Sequence, residues 1–370
     1  MRATVLRATL ILTALAGPGL GACAASSRAH PETQASATAQ SAAASSPGTL
    51  LPRVKLVATG GTISNRSGGR LSAEELVDTL PGIERYVRPE FEQFSNVASG
   101  ALTLRQWIDL ANRINILFAD GTDLAGIVVT SGTDTLEEIA YFLDLTVRSD
   151  RPVVVVGSMR NPSTPGYEGA ANLLDAYRVA ADPASRGKGV LVVLNDEINA
   201  ARDVTKTDAH RLDTFQSPGH GPLGIVDADR VVYYRDGLKR HTSRSEFDVS
   251  HLDALPRVDV ILTYQGASGD LIRAVVDQGA RGVIIAAAGA GATSGTQEEG
   301  IRYATDKGVA VVITTRTGGG RIASRARGAS GPRLQIEGED LAPVKARILL
   351  MLALTKTKDG GEIQRMFTEY

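Results

Sequence analysis

Three stretches of the 370-residue chain gather hydroxyls around glycines or beside a lysine. Ala58-Thr59-Gly60-Gly61-Thr62-Ile63 closes a β-branched apolar run at 54–59. Thr130-Ser131-Gly132-Thr133-Asp134-Thr135 closes a second run at 126–130. Arg202-Asp203-Val204-Thr205-Lys206-Thr207 follows a third, at 190–195, after a short loop. The glycines let the first turn reverse sharply and present Thr62 at a sheet edge. The second turn puts Thr133 and Asp134 at a helix start, where backbone N–H groups gather. A lysine beside threonines can, once desolvated, give up its proton and act as base to a hydroxyl. Each stretch also has an ordinary reading: threonine and aspartate cap helices, and a surface lysine finds an ion pair. Two hydroxyl-rich turns after two strands favour the chemical reading, because open α/β sheets bind ligands where strands end.

Other chemistries lack their residues. There is no G-x-x-x-x-G-K-[ST] phosphate loop, and Gly289-Ala290-Gly291 has no third glycine for a dinucleotide fingerprint. No G-x-S-x-G elbow occurs. His30, His210, His220, His241 and His251 are scattered, without H-E-x-x-H, so neither a metal site nor a histidine base is expected. Forty Lys and Arg against 41 Asp and Glu give a formal charge of −1, which offers no basic excess for nucleic acid. Aromatic residues, at 5%, are too few for a base-stacking surface.

The elements that must carry these turns are legible as buried strands. Unalternating apolar runs stand at 54–59, 126–130, 152–157, 190–195, 231–234, 258–264, 282–289 and 309–314. Such runs suit parallel strands covered on both faces. Helices are expected between them. Ser72 with Glu75 and Thr103 with Gln106 form capping boxes, Thr135 with Glu138 repeats the pattern, and further helices open at Asp270 and near Pro343. The fold class is therefore α/β, with two doubly wound domains: a larger N-terminal parallel-sheet domain over 51–235 and a smaller, flavodoxin-like one over 257–370. The polar, weakly patterned segment 236–256 reads as the linker.

The N-terminus reads as an export signal over 1–22: a basic start, an apolar stretch from Ala8 to Leu20, and Pro18-Gly19 to break it. Leu20-Gly21-Ala22-Cys23 is similar to the lipidation site of bacterial lipoproteins, which would be cleaved before Cys23. Ala22-Cys23-Ala24 also fits ordinary cleavage to a soluble periplasmic product. Cys23 is the one cysteine, so no intrachain disulfide can form. Residues 23–50, rich in Ala and Ser, read as a tether.

In this order, the three hydroxyl motifs resemble those of the exported bacterial L-asparaginases, which include glutaminase-asparaginases. The likeness runs from Leu51 to Tyr370 through ATGGTI, TSGTDTLEEIAYFLDLTV, VGSMR, EGAANLLDA, RDVTKT, GPLG and LALTKTKD. It implies hydrolysis of L-asparagine, and of L-glutamine in some members, through a threonine acyl-enzyme without metal or organic cofactor. It implies Thr62 as nucleophile and Thr133, Lys206 and Asp134 as the proton-relay set, with Asp134 also holding the substrate's α-ammonium. Ser99 would grip the α-carboxylate and the backbone near Ser158 would stabilise the oxyanion. A homotetramer is implied as well. The chain differs from the family at several points. The loop after Thr62, Ser64–Arg70, has no tyrosine, leaving Ser64 and Ser67 as its hydroxyls, and Gly68-Gly69 predict a mobile lid. Gly100 and Ala101 stand where many members carry Gln and Asp, Gly266 aligns with an asparagine that some members contribute from a neighbouring subunit, and 317–328 has no acid. An exported amino-acid-binding lipoprotein is the alternative from another class. It would not need Thr62, Thr133 and Lys206.

Overall fold

A computed structural model describes residues 50–323 and 334–370. The export signal, Cys23 and the tether lie outside these residues, as does most of the second half of 317–328.

The N-terminal half of the described chain is an eight-stranded sheet. Its strands are β1 (Arg53–Gly60), β2 (Arg88–Val97), β3 (Leu124–Thr130), β4 (Val153–Val156), β5 (Val190–Leu194), β6 (Glu197–Ala200), β7 (Gly224–Val226) and β8 (Val231–Tyr233). In space they run β8-β7-β6-β5-β4-β3-β1-β2. The five from β5 to β2 are parallel, and β6, β7 and β8 add antiparallel pairs at the other edge. The run at 231–234 is thus a half-buried antiparallel edge strand, not the fully buried parallel one expected.

Alternate residues of the central strands face opposite layers, as a pleated sheet requires. Val57, Ile127, Val129, Val153 and Val155 pack under α2 (Leu104–Asp120) and α3 (Leu136–Thr146). Val54, Leu56, Ala58, Val128 and Val154 pack under α1 (Ala73–Asp78) and α4 (Gly169–Ala181). The capping boxes at Ser72 and Thr103 are both formed. Thr135 stands at the start of α3, but its side chain makes no capping bond.

The C-terminal part is a four-stranded parallel sheet of β9 (Val258–Leu262), β10 (Gly282–Ala287), β11 (Ala310–Thr315) and β12 (Gln335–Glu337). On one face lie α5 (Asp270–Asp277) and α6 (Gln297–Asp306), and on the other α7 (Pro343–Lys356) and α8 (Gly360–Glu369). Residues of α7 share one apolar core with α3, and Phe247 and Val249 from 236–256 are buried in it.

Candidate active site

The chain passes from β1 to β2 on one side and to β3 on the other, which makes β1/β3 the topological switch point of the large sheet. The carboxyl ends of strands at such a point open a crevice. Both hydroxyl turns lie there. Thr59 ties them together: its hydroxyl donates to the Thr130 carbonyl at 2.6 Å, and its N–H donates to Thr130 Oγ1 at 3.2 Å.

Beyond this tie the turns touch at their glycines. Gly61 has φ +93°, and a Cβ placed on it would stand 2.3 Å from the Gly132 nitrogen. No side chain fits there, so the sequence needs glycine for both conformation and contact. Thr62 and Thr133 each stand one residue beyond this contact. Thr62 begins a single 3-10 turn and is partly exposed, while Thr133 is buried. A Cβ on Gly132 would in turn lie 2.9 Å from Ser99 Oγ, so the third wall of the crevice is Ser99. It arrives on β2, whose last residue, Val97, pairs with Gly60.

Lys206 comes from the far side. It sits on the two-residue strand Thr205–Lys206, paired with Phe215–Gln216. Its ammonium donates to Thr133 Oγ1 at 3.1 Å and to Asp134 Oδ1 at 2.8 Å. The Asp134 carboxylate is largely open to solvent, whereas the Lys206 side chain is mostly enclosed. One ammonium therefore bridges a buried hydroxyl and a carboxylate that a ligand can reach. When deprotonated it becomes a base already in contact with that hydroxyl.

The family resemblance implies an oxyanion donor in the backbone near Ser158. Ser158 is fully buried just past β4, and its hydroxyl donates to the Arg160 carbonyl at 2.6 Å. Its neighbour Gly157 faces Thr133, whose Cγ2 would lie 3.4 Å from an added Cβ. Among the described residues, no group of three or more His, Cys, Asp and Glu side chains is arranged to hold a metal ion.

The segment after Thr62 has regular structure and partners. Asn65–Arg66 and Gly69–Arg70 form a tight hairpin. The Ser67 N–H donates to Ser163 Oγ at 2.9 Å, Arg66 pairs with Glu75 at 2.9 Å, and Arg70 donates to the Gly61 carbonyl at 3.2 Å. Ser64 is buried and donates to Gly61 O at 3.1 Å and Asn96 Oδ1 at 3.2 Å. Its hydroxyl thus braces the turn and is not free to relay a proton. Ser67, on the exposed hairpin tip, engages through its backbone.

Three residues at the site escaped sequence reasoning. The Tyr167 hydroxyl donates to the Ile63 carbonyl at 2.9 Å, fastening the residue after Thr62 from a loop a hundred positions away. Glu137 accepts from Thr205 Oγ1 at 3.0 Å and from the Lys206 N–H at 3.3 Å. Lys345, on α7, donates to the carbonyls of Arg202 and Val204. Glu137 lies within the family stretch TSGTDTLEE, and Tyr167 stands immediately before another, EGAANLLDA, but neither residue has a local pattern that marks it. Gly266, by contrast, lies on an exposed turn with open space around it.

The chain has clear relatives. Residues 53–239 match the family model for the N-terminal domain of asparaginase, and 257–367 match that for the glutaminase/asparaginase C-terminal domain. L-asparaginase 2 of Bacillus subtilis is 43% identical over 350 residues, covering 92% of both chains. A probable periplasmic L-asparaginase of Haemophilus influenzae is 37% identical, covering 86% of this chain and 93% of its own. The crystal structure of a probable cytoplasmic L-asparaginase from Campylobacter jejuni superposes with a TM-score of 0.82 at 38% identity, over 86% of this chain and all of its own. With both domain models matched and the hydroxyl turns meeting at the switch point, the chain belongs to the asparaginase family of amidohydrolases.

Proposed function

We propose that the chain hydrolyses the side-chain amide of L-asparagine, and also that of L-glutamine, to the acid and ammonia. The observation that carries this is the Lys206 ammonium held between Thr133 Oγ1 and Asp134 Oδ1 beside the Thr62 turn. In this reading the Thr62 oxygen attacks the amide carbonyl carbon, and its proton passes to the leaving nitrogen. The C–N bond breaks, ammonia departs, and an ester on Thr62 remains. Water, activated at Thr133 with Lys206 setting the protonation of that hydroxyl, then adds to the ester carbonyl; its proton passes to the Thr62 oxygen as the ester C–O bond breaks, which releases the acid and restores the hydroxyl. Asp134 binds the α-ammonium, Ser99 the α-carboxylate, and the backbone beside Ser158 the oxyanion. An amide has a poor leaving group, so nucleophile, relay and oxyanion donors must share the barrier.

Ammonia release from asparagine by the purified protein tests the reading. Thr62→Ala, Thr133→Ala and Lys206→Met are each expected to lower kcat by about 10³ or more, as members of one catalytic unit do. Near-wild-type turnover in Thr62→Ala refutes the assignment.

We further propose an exported protein, lipidated on Cys23, that assembles as a homotetramer. Leu20-Gly21-Ala22-Cys23 ahead of the tether supports the anchor, and the periplasmic description of the Haemophilus relative supports export. No described helix is long and apolar enough to cross a membrane. Mass spectrometry of the mature N-terminus and light scattering on residues 51–370 test the two parts. An unmodified start at Ala25 removes the anchor, and a fully active monomer removes the tetramer.

A further inference from the structure

Behind the Thr133–Lys206–Asp134 set, two ionic side chains with no part in the chemistry meet in the core between α3 and α7. Lys345 is 1% exposed, and its ammonium has three donors. One goes to the Arg202 carbonyl at 2.9 Å and another to the Val204 carbonyl. The Glu137 Oε2 atom stands 4.0 Å away and has no hydrogen-bond partner of its own. The other oxygen of the same carboxylate, Oε1, takes the Thr205 hydroxyl and the Lys206 N–H. A single ion pair thus holds four backbone or side-chain points, on Arg202, Val204, Thr205 and Lys206, within the stretch 202–206.

That stretch needs outside support. Among the described residues its strand partner is the two-residue Phe215–Gln216, and so short a pair is too weak to fix a side chain by itself. Yet the Lys206 ammonium has to meet two acceptors at once, at 3.1 and 2.8 Å. A displacement of about 1 Å at such a site can cost on the order of 100-fold in rate. We propose that Lys345 and Glu137 are positioning residues: an ion pair between the C-terminal helix α7 and α3 that fixes the Thr205–Lys206 backbone and so aims the Lys206 ammonium at Thr133 and Asp134. Burying an ammonium is costly unless it is paired and bonded, and the pair supplies both conditions. Its chemistry is indifferent to substrate, since it touches only the chain. The inference rests on the proposed role of Lys206.

The experiment uses the purified full chain and steady-state ammonia release from asparagine. It compares wild type, Glu137→Gln, Lys345→Met and Lys206→Met with the two double variants that add Lys206→Met. Glu137→Gln keeps volume and the accepting oxygen but removes the charge. Its kcat is expected to fall about 3- to 10-fold, and that of Lys345→Met about 10- to 100-fold, with KM within twofold in both. In the Lys206→Met background neither change is expected to lower kcat further, because the group being aimed is gone. A merely structural role would instead multiply the losses, and that result overturns the proposal, as does wild-type kcat in both single variants. If Lys345→Met does not fold, Glu137→Gln alone and combined with Lys206→Met decides the matter. Wild-type turnover in Lys206→Met overturns the reading of Lys206 and, with it, the brace. Loss there with no effect of Glu137→Gln or Lys345→Met overturns the brace alone.

Discussion

Replacing Tyr167 by phenylalanine removes one heavy atom from the support of the turn that carries Thr62, the proposed nucleophile. The ring folds back over Gly169, where a Cβ would collide with it at 2.3 Å, and its hydroxyl reaches the carbonyl of the fully buried Ile63. Phenylalanine keeps the ring and leaves that carbonyl without its donor. An orphaned buried acceptor costs about 1–3 kcal/mol, against about 1 kcal/mol net for an ordinary hydrogen bond. The turn has other restraints, however: Gly61 N–H to the Val97 carbonyl at 2.9 Å, and the bonds from Ser64 and Arg70 to the Gly61 carbonyl. These hold the N-terminal side of Thr62, whereas Tyr167 holds the C-terminal side. We therefore assign about 1–1.4 kcal/mol of the loss to the ordering of Thr62, which corresponds to a 5- to 10-fold fall in kcat. KM for asparagine should change by less than twofold, since Tyr167 bonds only to the chain. Burial, with Glu168 adding to it, holds the phenol well above its usual pKa. It stays a donor throughout the working range, so the ratio of wild-type to variant kcat should be flat from about pH 6 to 9. The assay is coupled ammonia release, with the exposed Tyr86→Phe as control. A Tyr167→Phe kcat within twofold of wild type would show that Thr62 is ordered without this bond.

Three other outcomes follow from the geometry. Ser99→Ala should raise KM for asparagine by roughly 10-fold or more with a smaller change in kcat, because a hydrogen bond to a charged group contributes about 1.5–3 kcal/mol; equal loss in both would move Ser99 out of the carboxylate site. Gly61→Ala must push the Gly132 backbone away from a contact of 2.3 Å, and activity below about 1% of wild type is expected, to be checked with a melting curve showing that the chain still folds. Burial, reinforced by Arg244, lowers the His241 pKa to about 4; the unfolded chain therefore binds the extra proton between about pH 6.5 and 4, so the melting temperature should fall as pH drops through that window, less steeply in His241→Gln.

The parallel strands were legible because burial on both faces leaves only apolar residues, and β1, β3, β4, β5, β10 and β11 all read that way. Strand β2 was not. It lies at the sheet edge with most of its residues half-buried or exposed, so Arg88-Pro89-Glu90-Phe91-Glu92-Gln93 shows no continuous apolar run. This cost the sequence reading the element that delivers Ser99, which the family resemblance alone supplied. Thr62, Thr133 and Lys206 were legible because glycines and hydroxyls at strand ends are a local pattern. Tyr167, Glu137 and Lys345 act through partners 104, 68 and about 140 positions away, and no window of sequence contains both ends of those contacts. The contacts of the loop at 64–70 were hidden for a related reason: its partners Glu75 and Ser163 lie outside the loop, one of them about a hundred positions away.

Mutational tolerance in this site should be sharply uneven. On the floor of the crevice, Gly60, Gly61 and Gly132 leave no room for one additional carbon. At the hairpin tip, Gly68 and Gly69 have nothing within 4 Å of where a Cβ would stand. Insertions between Arg66 and Gly69 would therefore project outward into solvent while the floor stays frozen. Diversification of this enzyme, by drift or by loop grafting, has a sterically open door at that tip, a few residues along the chain from Thr62.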